Sequence, residues 1–281
     1  MPGIALVTGC SSGFGKGIVA GLLADGWTVI ATMRAAGRRA DLLAEEAKTY
    51  GDRLLIRELD VVDASQRKAL AVEFTHLDLL VNNAGFGVMG AIEDLSEEQL
   101  RRQFEVNFFG TVFLTREFLP ALRVAKGKVL MISSILGRQS FPLSGAYCAS
   151  KFALEGLSES LAYELSPHGV QVCLVEPGGF RTSMADNTVW GEKTADPSSP
   201  YAIQNANLKR MREKMMSRPG VPPDAVVRLI VKLARKNKLP RRALVGKDAI
   251  GMNLFASVLP DRVVSFLYTR LYDKLLAKAP A

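Results

Sequence analysis

Tyr147 and Lys151 are the two side chains in this chain best suited by type and spacing to move a proton. They stand four residues apart, and on a helix that spacing places both on one face, about one turn apart. A tyrosine alone has a pKa of about 10, too high for ready proton exchange near neutrality. A fixed ammonium nearby favours the phenolate and lowers that pKa. The pair therefore predicts a general acid and base acting on a carbonyl or an alcohol.

A glycine-rich segment near the start of the chain predicts a phosphate-binding turn. Residues 3–7 are an apolar run typical of a buried parallel strand, and residues 18–23 carry apolar side chains at helical spacing. Glycines between them let the backbone approach a pyrophosphate, and a helix N-terminus offers free N–H groups to it. The order of strand, glycine turn and helix predicts a dinucleotide site. Its expected contacts in this segment are Gly9, Ser11, Ser12, Gly13, Phe14 and Gly15.

The residue after the second predicted strand, 27–32, indicates which dinucleotide is bound. An acidic residue there would hydrogen-bond the ribose 2′-hydroxyl, whereas an arginine accommodates a 2′-phosphate. This chain has Arg34, followed by Arg38 and Arg39, with no acid before Asp41. Ser12 is not basic, so Arg34 carries most of this argument. NADP(H) is therefore the expected cofactor, and NAD(H) the less favoured one.

The order of the remaining elements predicts an α/β architecture. Predicted strands at 53–59 and 77–81 each end in polar residues, Asp60 and Asn82–Asn83, at the strand ends where open parallel sheets bind ligands. Long helical stretches at 96–123 and 145–165 flank a strand at 128–134. Strand-like and helix-like runs alternate along 281 residues without a linker, which predicts a doubly wound parallel sheet in a single domain.

Through these motifs the chain resembles the short-chain dehydrogenase/reductase family over roughly residues 3–250. Within the family it looks most like the branch of 17β-hydroxysteroid and retinol dehydrogenases. The resemblance implies a Rossmann-type sheet of about seven strands with helices on both faces, in one domain spanning 1–281. It also implies a substrate lid at about 183–220 and a C-terminal helical extension at about 248–281. The matching elements are the segment 8–15, Asp60, the segment 82–85, Asn107, Ser133–Ser134, Tyr147 with Lys151, and the segment 177–182.

The resemblance assigns a role to each matched residue. Tyr147 would donate the proton to a carbonyl in reduction, and Lys151 would hold the nicotinamide ribose and lower the pKa of Tyr147. Ser134 would hydrogen-bond the substrate oxygen, and Asn107 would support a proton-relay water near Lys151. The further cofactor contacts would be Asp60 at the adenine, Val61, Asn83 bracing the sheet, Ala84, Gly85, Pro177, Gly178 and Thr182. One departure is the short helix expected at 63–75, which is shorter than the family usually has there.

The activity that follows is NADP(H)-dependent interconversion of a hydrophobic ketone or aldehyde and its alcohol. Leu208 and Met211 in the lid suit a steroid, a retinoid or a long-chain ketone. One alternative is a reductase of 3-oxoacyl carrier-protein thioesters. Another is a regulatory protein that senses NADPH without turnover, although a sensor needs no proton relay. The sequence fixes neither the natural substrate nor the direction of the reaction.

Positive charge is concentrated in one segment. Residues 207–242 hold twelve Lys and Arg against two acids, a net charge of +10, whereas the whole chain carries +8. A solvated face is the first interpretation, ahead of a guide for an anionic substrate and a peripheral membrane contact. No recognition motif accompanies the charge, which argues against nucleic-acid binding. The helical pattern at 254–276 predicts packing on the domain or closure of the pocket, with membrane docking second.

Cysteine and histidine usage predicts neither a disulfide framework nor a metal site. The chain has three cysteines and two histidines, without metal-ligand spacing. Its start runs directly into the first strand, without a signal peptide, and no apolar run approaches the ~20 residues of a membrane span. We therefore expect a cytoplasmic protein. In the resembled family, the outer faces of the helices at 96–123 and 145–165 pair between subunits, which implies a homodimer or homotetramer.

Overall fold

The strands form where short apolar runs occur, as a sheet buried on both faces requires. The structure is a computed structural model that describes residues 3–179, 188–217 and 224–273. In the described residues, a seven-stranded parallel sheet has the strand order β3-β2-β1-β4-β6-β7-β9, and β5 pairs with β8 in a second, two-stranded sheet. The strands are β1 (Ile4–Thr8), β2 (Thr28–Met33), β3 (Leu54–Glu58), β4 (Leu79–Asn82), β5 (Val88–Met89), β6 (Lys128–Ile132), β7 (Gln171–Pro177), β8 (Val189–Trp190) and β9 (Arg242–Val245).

Helices cover both faces of the large sheet. On one face α1 and α9 pack through Leu22, Val226 and Ile230, and on the other α6 and α7 pack through Phe118 and Leu154. The predicted doubly wound sheet is confirmed. The helices are α1 (Gly13–Ala24), α2 (Ala36–Arg39), α3 (Ala44–Tyr50), α4 (Ala64–Glu73), α5 (Glu97–Phe104), α6 (Thr111–Ala125), α7 (Gly145–Leu165), α8 (Ala202–Ser217), α9 (Asp224–Arg235), α10 (Lys247–Val258) and α11 (Asp261–Tyr272).

The strand order reverses beside β1, and this reversal creates the crevice for a ligand. The chain moves outward from β1 through β2 to β3, then returns to add β4 on the other side of β1. Crossover connections on the two sides leave in opposite directions, so a gap opens at the carboxyl ends of the strands. The glycine turn after β1, Arg34 after β2, Asp60 after β3 and Asn83 after β4 all lie at that edge.

The helix predicted at 96–123 is interrupted in the structure. Helix α5 begins with a capping box, in which Ser96 and Gln99 each bind the other's backbone N–H, and it ends at Phe104. A π-helical segment, Glu105–Gly110, then precedes α6. Within that segment Asn107 binds both the N–H and the C=O of Phe86, at 3.0 and 2.9 Å. A wide turn at a buried polar anchor is a pattern often found at functional sites.

The helical pattern at the C-terminus also divides in two. Helix α10 ends before Leu259–Pro260, and α11 starts at Asp261. Proline lacks an N–H and cannot continue a helix from within, so it fixes the break. The short helix expected at 63–75 is α4, and Asp63 caps it by accepting from the N–H groups of Ser65 and Gln66. Among the described helices, none is both long and apolar enough to cross a bilayer.

Candidate active site

Tyr147 and Lys151 are buried on one face of α7, at the edge of a cavity. Their exposed fractions are 6% and 4%. The Lys151 Nζ lies 5.8 Å from the centroid of the Tyr147 ring and donates a hydrogen bond of 2.8 Å to the carbonyl of Ile132, at the end of β6. The ammonium is therefore held in place by the sheet, and the predicted juxtaposition of the pair is present.

Burial sets the pKa values of this pair. It raises the pKa of Tyr147 to about 12, although a hydrogen bond with Ser134 and the charge of Arg212 act in the other direction. Burial also lowers the pKa of Lys151 to about 8, partly offset by the carboxylate of Glu155. The sequence predicted a lowered pKa for Tyr147, and here the structure differs. Desolvation of the phenolate outweighs the favourable charges around it.

Ser134 and Asn107 approach the pair from two other elements. Ser134 follows β6, and its Oγ accepts from the Leu136 N–H at 3.1 Å in addition to its bond with Tyr147. Asn107 also donates to Ser150 Oγ at 3.3 Å. A side chain on Gly85 would meet Asn107 Oδ1 at 3.2 Å and Lys151 Nζ at 3.9 Å. The four predicted catalytic residues thus surround one small region.

The glycine turn has the conformation that a phosphate cradle needs. Gly9 and Gly13 have φ values of 72° and 56°, which favour glycine. A Cβ on Gly15 would lie 2.2 Å from the Gly9 carbonyl oxygen, so the start of α1 approaches the turn too closely for any side chain. Asn83 closes the turn from β4 by donating to the carbonyls of Thr8 and Gly9, at 2.8 and 3.3 Å.

A groove of about 510 Å³ extends from this turn along the carboxyl ends of the strands. At its far end, Glu58 accepts from the N–H groups of Ala35 and Ala36 at 2.7 and 2.6 Å, which fixes the loop that carries Arg34. A groove with a helix N-terminus at one end and a guanidinium at the other fits a dinucleotide. The predicted contacts that line the groove are Gly9, Ser11, Ser12, Gly13, Phe14, Arg34, Asp60, Val61, Asn83, Ala84 and Gly85.

Arg39 and Arg102 also line the groove. Arg39 stood out in the sequence only as part of a basic cluster behind Arg34. No sequence motif marks Arg102, because it lies on α5, far from the glycine turn along the chain. The amphipathic pattern of α5, which begins at Glu97, gave no indication that its arginines face the carboxyl ends of β2 and β3.

A second cavity, of about 700 Å³, opens on the other side of Tyr147 and is predominantly apolar. Ser134, Pro177 and Gly178 line it, and Phe14 lines both this cavity and the groove. The two spaces therefore meet at Phe14, and Tyr147 lines the apolar one. Thr182 lies outside the described residues. The apolar lining comes chiefly from Met89, Leu136, Phe141, Leu208, Met211, Phe255, Leu267 and Leu271.

Helices α8, α10 and α11 close this cavity. Helix α8 contributes Leu208 and Met211, and the C-terminal helices contribute Phe255 and Leu267. The C-terminal pattern predicted pocket closure as one possibility, and these side chains do line the cavity. Two charged residues in the lining, Arg212 and Asp248, were not predicted. Both lie on helices whose sequences show no motif, so their place in the cavity follows only from the tertiary fold.

The segment before α8 is attached to the body of the domain. Strand β8 pairs in parallel with β5, Val189 opposite Val88 and Trp190 opposite Met89. The buried carboxylate of Asp94 accepts from Ser199 Oγ at 2.7 Å and from Asn205 Nδ2 at 2.5 Å. These bonds set the position from which α8 presents its apolar face to the cavity.

Curated relatives match nearly the whole chain. A 3-ketodihydrosphingosine reductase from Bacteroides thetaiotaomicron is 37% identical over 280 residues, covering 96% of this chain and 98% of that protein. The human retinol dehydrogenase 8 is 35% identical over 289 residues, covering 99% of this chain and 92% of that protein.

Solved structures agree with this sequence similarity. A short-chain dehydrogenase from Streptomyces avermitilis superposes with a TM-score of 0.80 at 35% identity, covering 98% of this chain and 97% of that one. Another from Burkholderia cenocepacia, in complex with NADP, superposes with a TM-score of 0.70 at 26% identity, covering 97% of each chain.

The family model described as short chain dehydrogenase matches residues 3–193. That span contains the glycine turn, Asn83, Asn107, Ser134, Tyr147 and Lys151. The chain therefore belongs to the short-chain dehydrogenase family, whose members are oxidoreductases that act on CH–OH groups with a nicotinamide cofactor.

Proposed function

We propose that the protein is an NADP(H)-dependent oxidoreductase that interconverts a hydrophobic ketone or aldehyde and its alcohol. The observation that carries this proposal is the position of Tyr147, whose buried side chain lines an apolar cavity beside Phe14, the residue that also lines the dinucleotide groove. A substrate carbonyl in that cavity can reach the Tyr147 hydroxyl while its carbon faces the dinucleotide groove. The binding, orientation and protonation of the substrate then fall to the protein.

Tyr147 is the proposed proton donor in the direction of reduction. When bound in the groove, NADPH would supply the hydride that the carbonyl carbon requires. Because the pKa of Tyr147 is about 12, the hydroxyl keeps its proton at neutral pH and can transfer it to the carbonyl oxygen. Ser134, bonded to Tyr147, supplies the second hydrogen bond to that oxygen and stabilises its developing charge. The product is the alcohol, and Tyr147 is left as a phenolate.

In our proposal, Lys151 and Asn107 help to return a proton to Tyr147 after reduction. The Lys151 ammonium stabilises the phenolate electrostatically, and its position is fixed by the Ile132 carbonyl. Asn107, on the π-helical segment, holds the loop after β4 in place through Phe86 and lies next to Lys151 beyond Gly85. A water between these residues would return a proton from solvent to Tyr147.

Preference for NADP(H) is proposed from the far end of the groove. Arg34 is exposed there, and Arg39 lies beside it, so two guanidinium groups face the position expected for an adenosine ribose. Arginine forms paired hydrogen bonds with phosphate, whereas a 2′-hydroxyl needs an acidic acceptor. Of the residues described, Asp60 is the acid that lines this groove. It follows β3, whereas the acid that binds a ribose 2′-hydroxyl follows β2.

The substrate class is proposed from the apolar cavity. Its volume and lining suit a large hydrophobic carbonyl compound, such as a steroid, a retinoid or a long-chain ketone. Two relatives are named for ketodihydrosphingosine and for retinol, which agrees with such a substrate. The segment at about 183–220 would act as the lid over it, since α8 lines the cavity and is held through Asn205 on Asp94.

A homo-oligomer is proposed from the outer faces of the long helices. Phe109, in the π-helical segment before α6, and Phe152 and Tyr163, on α7, expose large apolar surface. Apolar side chains gathered on neighbouring helices are the kind of surface that a second copy covers.

The experiment that tests the function is a titration followed by turnover. NADPH and NADH are titrated against the fluorescence of Trp27 and Trp190, and a panel of hydrophobic ketones and aldehydes is then followed at the NADPH absorbance band. We expect tighter binding of NADPH and its oxidation by members of the panel. Tight binding without turnover across a broad panel would favour the NADPH sensor, and preference for NADH would contradict the role of Arg34.

A further inference from the structure

Arg212 places a positive charge in the otherwise apolar substrate cavity. It lies on α8 one turn after Leu208 and directly after Met211. All three side chains line the cavity together with Tyr147 and Ser134. A guanidinium at such a position has lost much of its hydration, and a charge in that environment requires a partner.

Two residues outside α8 orient the Arg212 side chain. Its Nη2 donates to Thr188 Oγ1 at 2.6 Å, and its guanidinium carbon lies 5.9 Å from the centroid of the Trp190 ring. Both contacts come from the strand segment before α8, so they orient the group without neutralising it. Among the described residues, no carboxylate lies within ion-pair distance of Arg212. Burial accordingly lowers its pKa, with Tyr147 the charge that opposes this effect.

The position of Arg212 relative to the reacting centre limits which part of a substrate it can touch. Leu208 and Met211, its neighbours on α8, pack in one cluster with Tyr147, so Arg212 enters the cavity from the wall next to the reacting centre. The C-terminal helices, with Phe255 and Leu267, form apolar walls elsewhere in the cavity. A substrate that satisfies both regions has a polar head next to its ketone and a hydrocarbon tail.

We propose that Arg212 binds an anionic group, in its simplest form a carboxylate, close to the ketone of an amphipathic substrate whose hydrocarbon chain fills the apolar cavity. This inference rests on the proposed function and narrows its substrate class to keto acids and related anions. Arginine suits the role because its planar donors pair with both oxygens of a carboxylate.

Asp248 is the competing charged group in the cavity. It would favour a cationic head, but its carboxylate accepts from the Gly179 N–H, and its oxygens approach Gly178 so closely that a Cβ there would lie 2.2 Å away. Asp248 is thus already engaged with the backbone after β7. The anionic head is the choice that the geometry favours, and a cationic probe tests the other.

The test compares matched acids and esters. Oxododecanoates with the ketone at successive carbons from the carboxylate, their methyl esters and amine analogues are assayed for kcat/KM with NADPH. The variants are Arg212→Met, Arg212→Lys and Lys209→Met. Lys209 is the matched control, because it lies on the same helix, 5.1 Å from the Trp190 ring centroid, and does not line the cavity.

We expect at least one acid to exceed its ester by about tenfold or more, as a charge-assisted hydrogen bond implies. Arg212→Met should bring that ratio close to one, Arg212→Lys should keep part of it, and Lys209→Met should leave it unchanged. Esters turned over without any acid preference would overturn the role of Arg212 while leaving the proposed function intact. Preference for the amines, or an acid preference that survives Arg212→Met, would also overturn it.

A binding measurement separates this inference from the proposed function. Dodecanoate, which has no ketone, is titrated calorimetrically into the wild-type protein and into Arg212→Met. Weakening of its binding by about tenfold in the variant supports the anion site even if no ketone is turned over. Equal affinities overturn the site whatever the turnover assay shows.

Discussion

Glu155 lies one helical turn beyond Lys151 on α7, and its carboxylate opposes the burial that lowers the pKa of that lysine. Glu155 is itself buried, and burial raises its own pKa, whereas its ion pair with Arg242 lowers it. The protonation state of Lys151 therefore depends on a second set of charged residues, which begins with Glu155. Arg242, on β9, connects this row to Glu159 and Glu176.

The first prediction concerns the pH dependence of reduction. Lys151 has a pKa of about 8, below the ordinary value for lysine, so its ammonium is present below that pH and lost above it. Because the ammonium stabilises the Tyr147 phenolate, kcat/KM for ketone reduction should fall above about pH 8. Glu155→Gln removes the charge that raises the pKa of Lys151, so the decline should begin at lower pH. Glu159→Gln is the control, and identical profiles for wild type and Glu155→Gln would contradict the coupling.

The second prediction tests the proton donor. Tyr147→Phe removes the hydroxyl while keeping the ring that lines the cavity, so NADPH should bind as before. Turnover should fall by at least about a hundredfold, the usual scale of a lost general acid. Tyr163→Phe on the same helix serves as the control, since Tyr163 is 66% exposed. Steady-state rates and cofactor affinity are the measurements, and a fully active Tyr147→Phe would refute the assignment.

The third prediction concerns cofactor choice. Arg34→Leu should weaken NADPH binding by about tenfold or more and leave NADH binding nearly unchanged, because only the former has a 2′-phosphate for the guanidinium. Arg38→Leu is a matched control from α2 that does not line the groove. Fluorescence titration of both cofactors gives the ratio of dissociation constants. An equal loss for NADPH and NADH would mean that Arg34 does not contact the 2′-phosphate.

The fourth prediction addresses the glycine turn. Gly15→Ala should destabilise the protein by about 1–3 kcal/mol, as overpacking does, because its Cβ would lie 2.2 Å from the Gly9 oxygen. The same clash displaces the turn, so NADPH should no longer raise the melting temperature. Gly156→Ala, in the interior of α7 with no atom within 4 Å of the new Cβ, should instead stabilise by about 0.5–1 kcal/mol. Thermal unfolding with and without NADPH distinguishes the two, and an unperturbed Gly15→Ala would show that the turn relaxes.

The fifth prediction concerns assembly. Phe152→Glu introduces a charge into the exposed apolar face of α7 and should convert the homo-oligomer to smaller species. Val72→Glu places the same charge on α4, at a residue that is 79% exposed, and should leave the oligomer intact. Size-exclusion chromatography with light scattering measures both. A wild-type protein that is already monomeric at micromolar concentration would contradict the proposed homo-oligomer.

Sequence reasoning located the elements that have strong local patterns. The glycine turn, the strand-end residues Asp60 and Asn83, and the helical pair Tyr147 and Lys151 depend on spacings of a few residues, so one stretch of sequence reveals each. Arg102, Arg212 and Asp248 reach their cavities only through the packing of separate helices, and no local signal marks them. Burial set the pKa of Tyr147 against the expected direction, since desolvation depends on every surrounding element.

The π-helical segment at 105–110 makes the length of this stretch as important as its composition. Each residue of a regular helix turns the chain by about 100°, and the wide turn absorbs one extra residue without passing that rotation on to α6. The buried face of α6, with Leu114 and Phe118, therefore still points toward the core. A one-residue deletion that restored a regular helix would leave α6 in place but withdraw Asn107 from Phe86. Such a deletion should therefore impair activity more than it impairs folding.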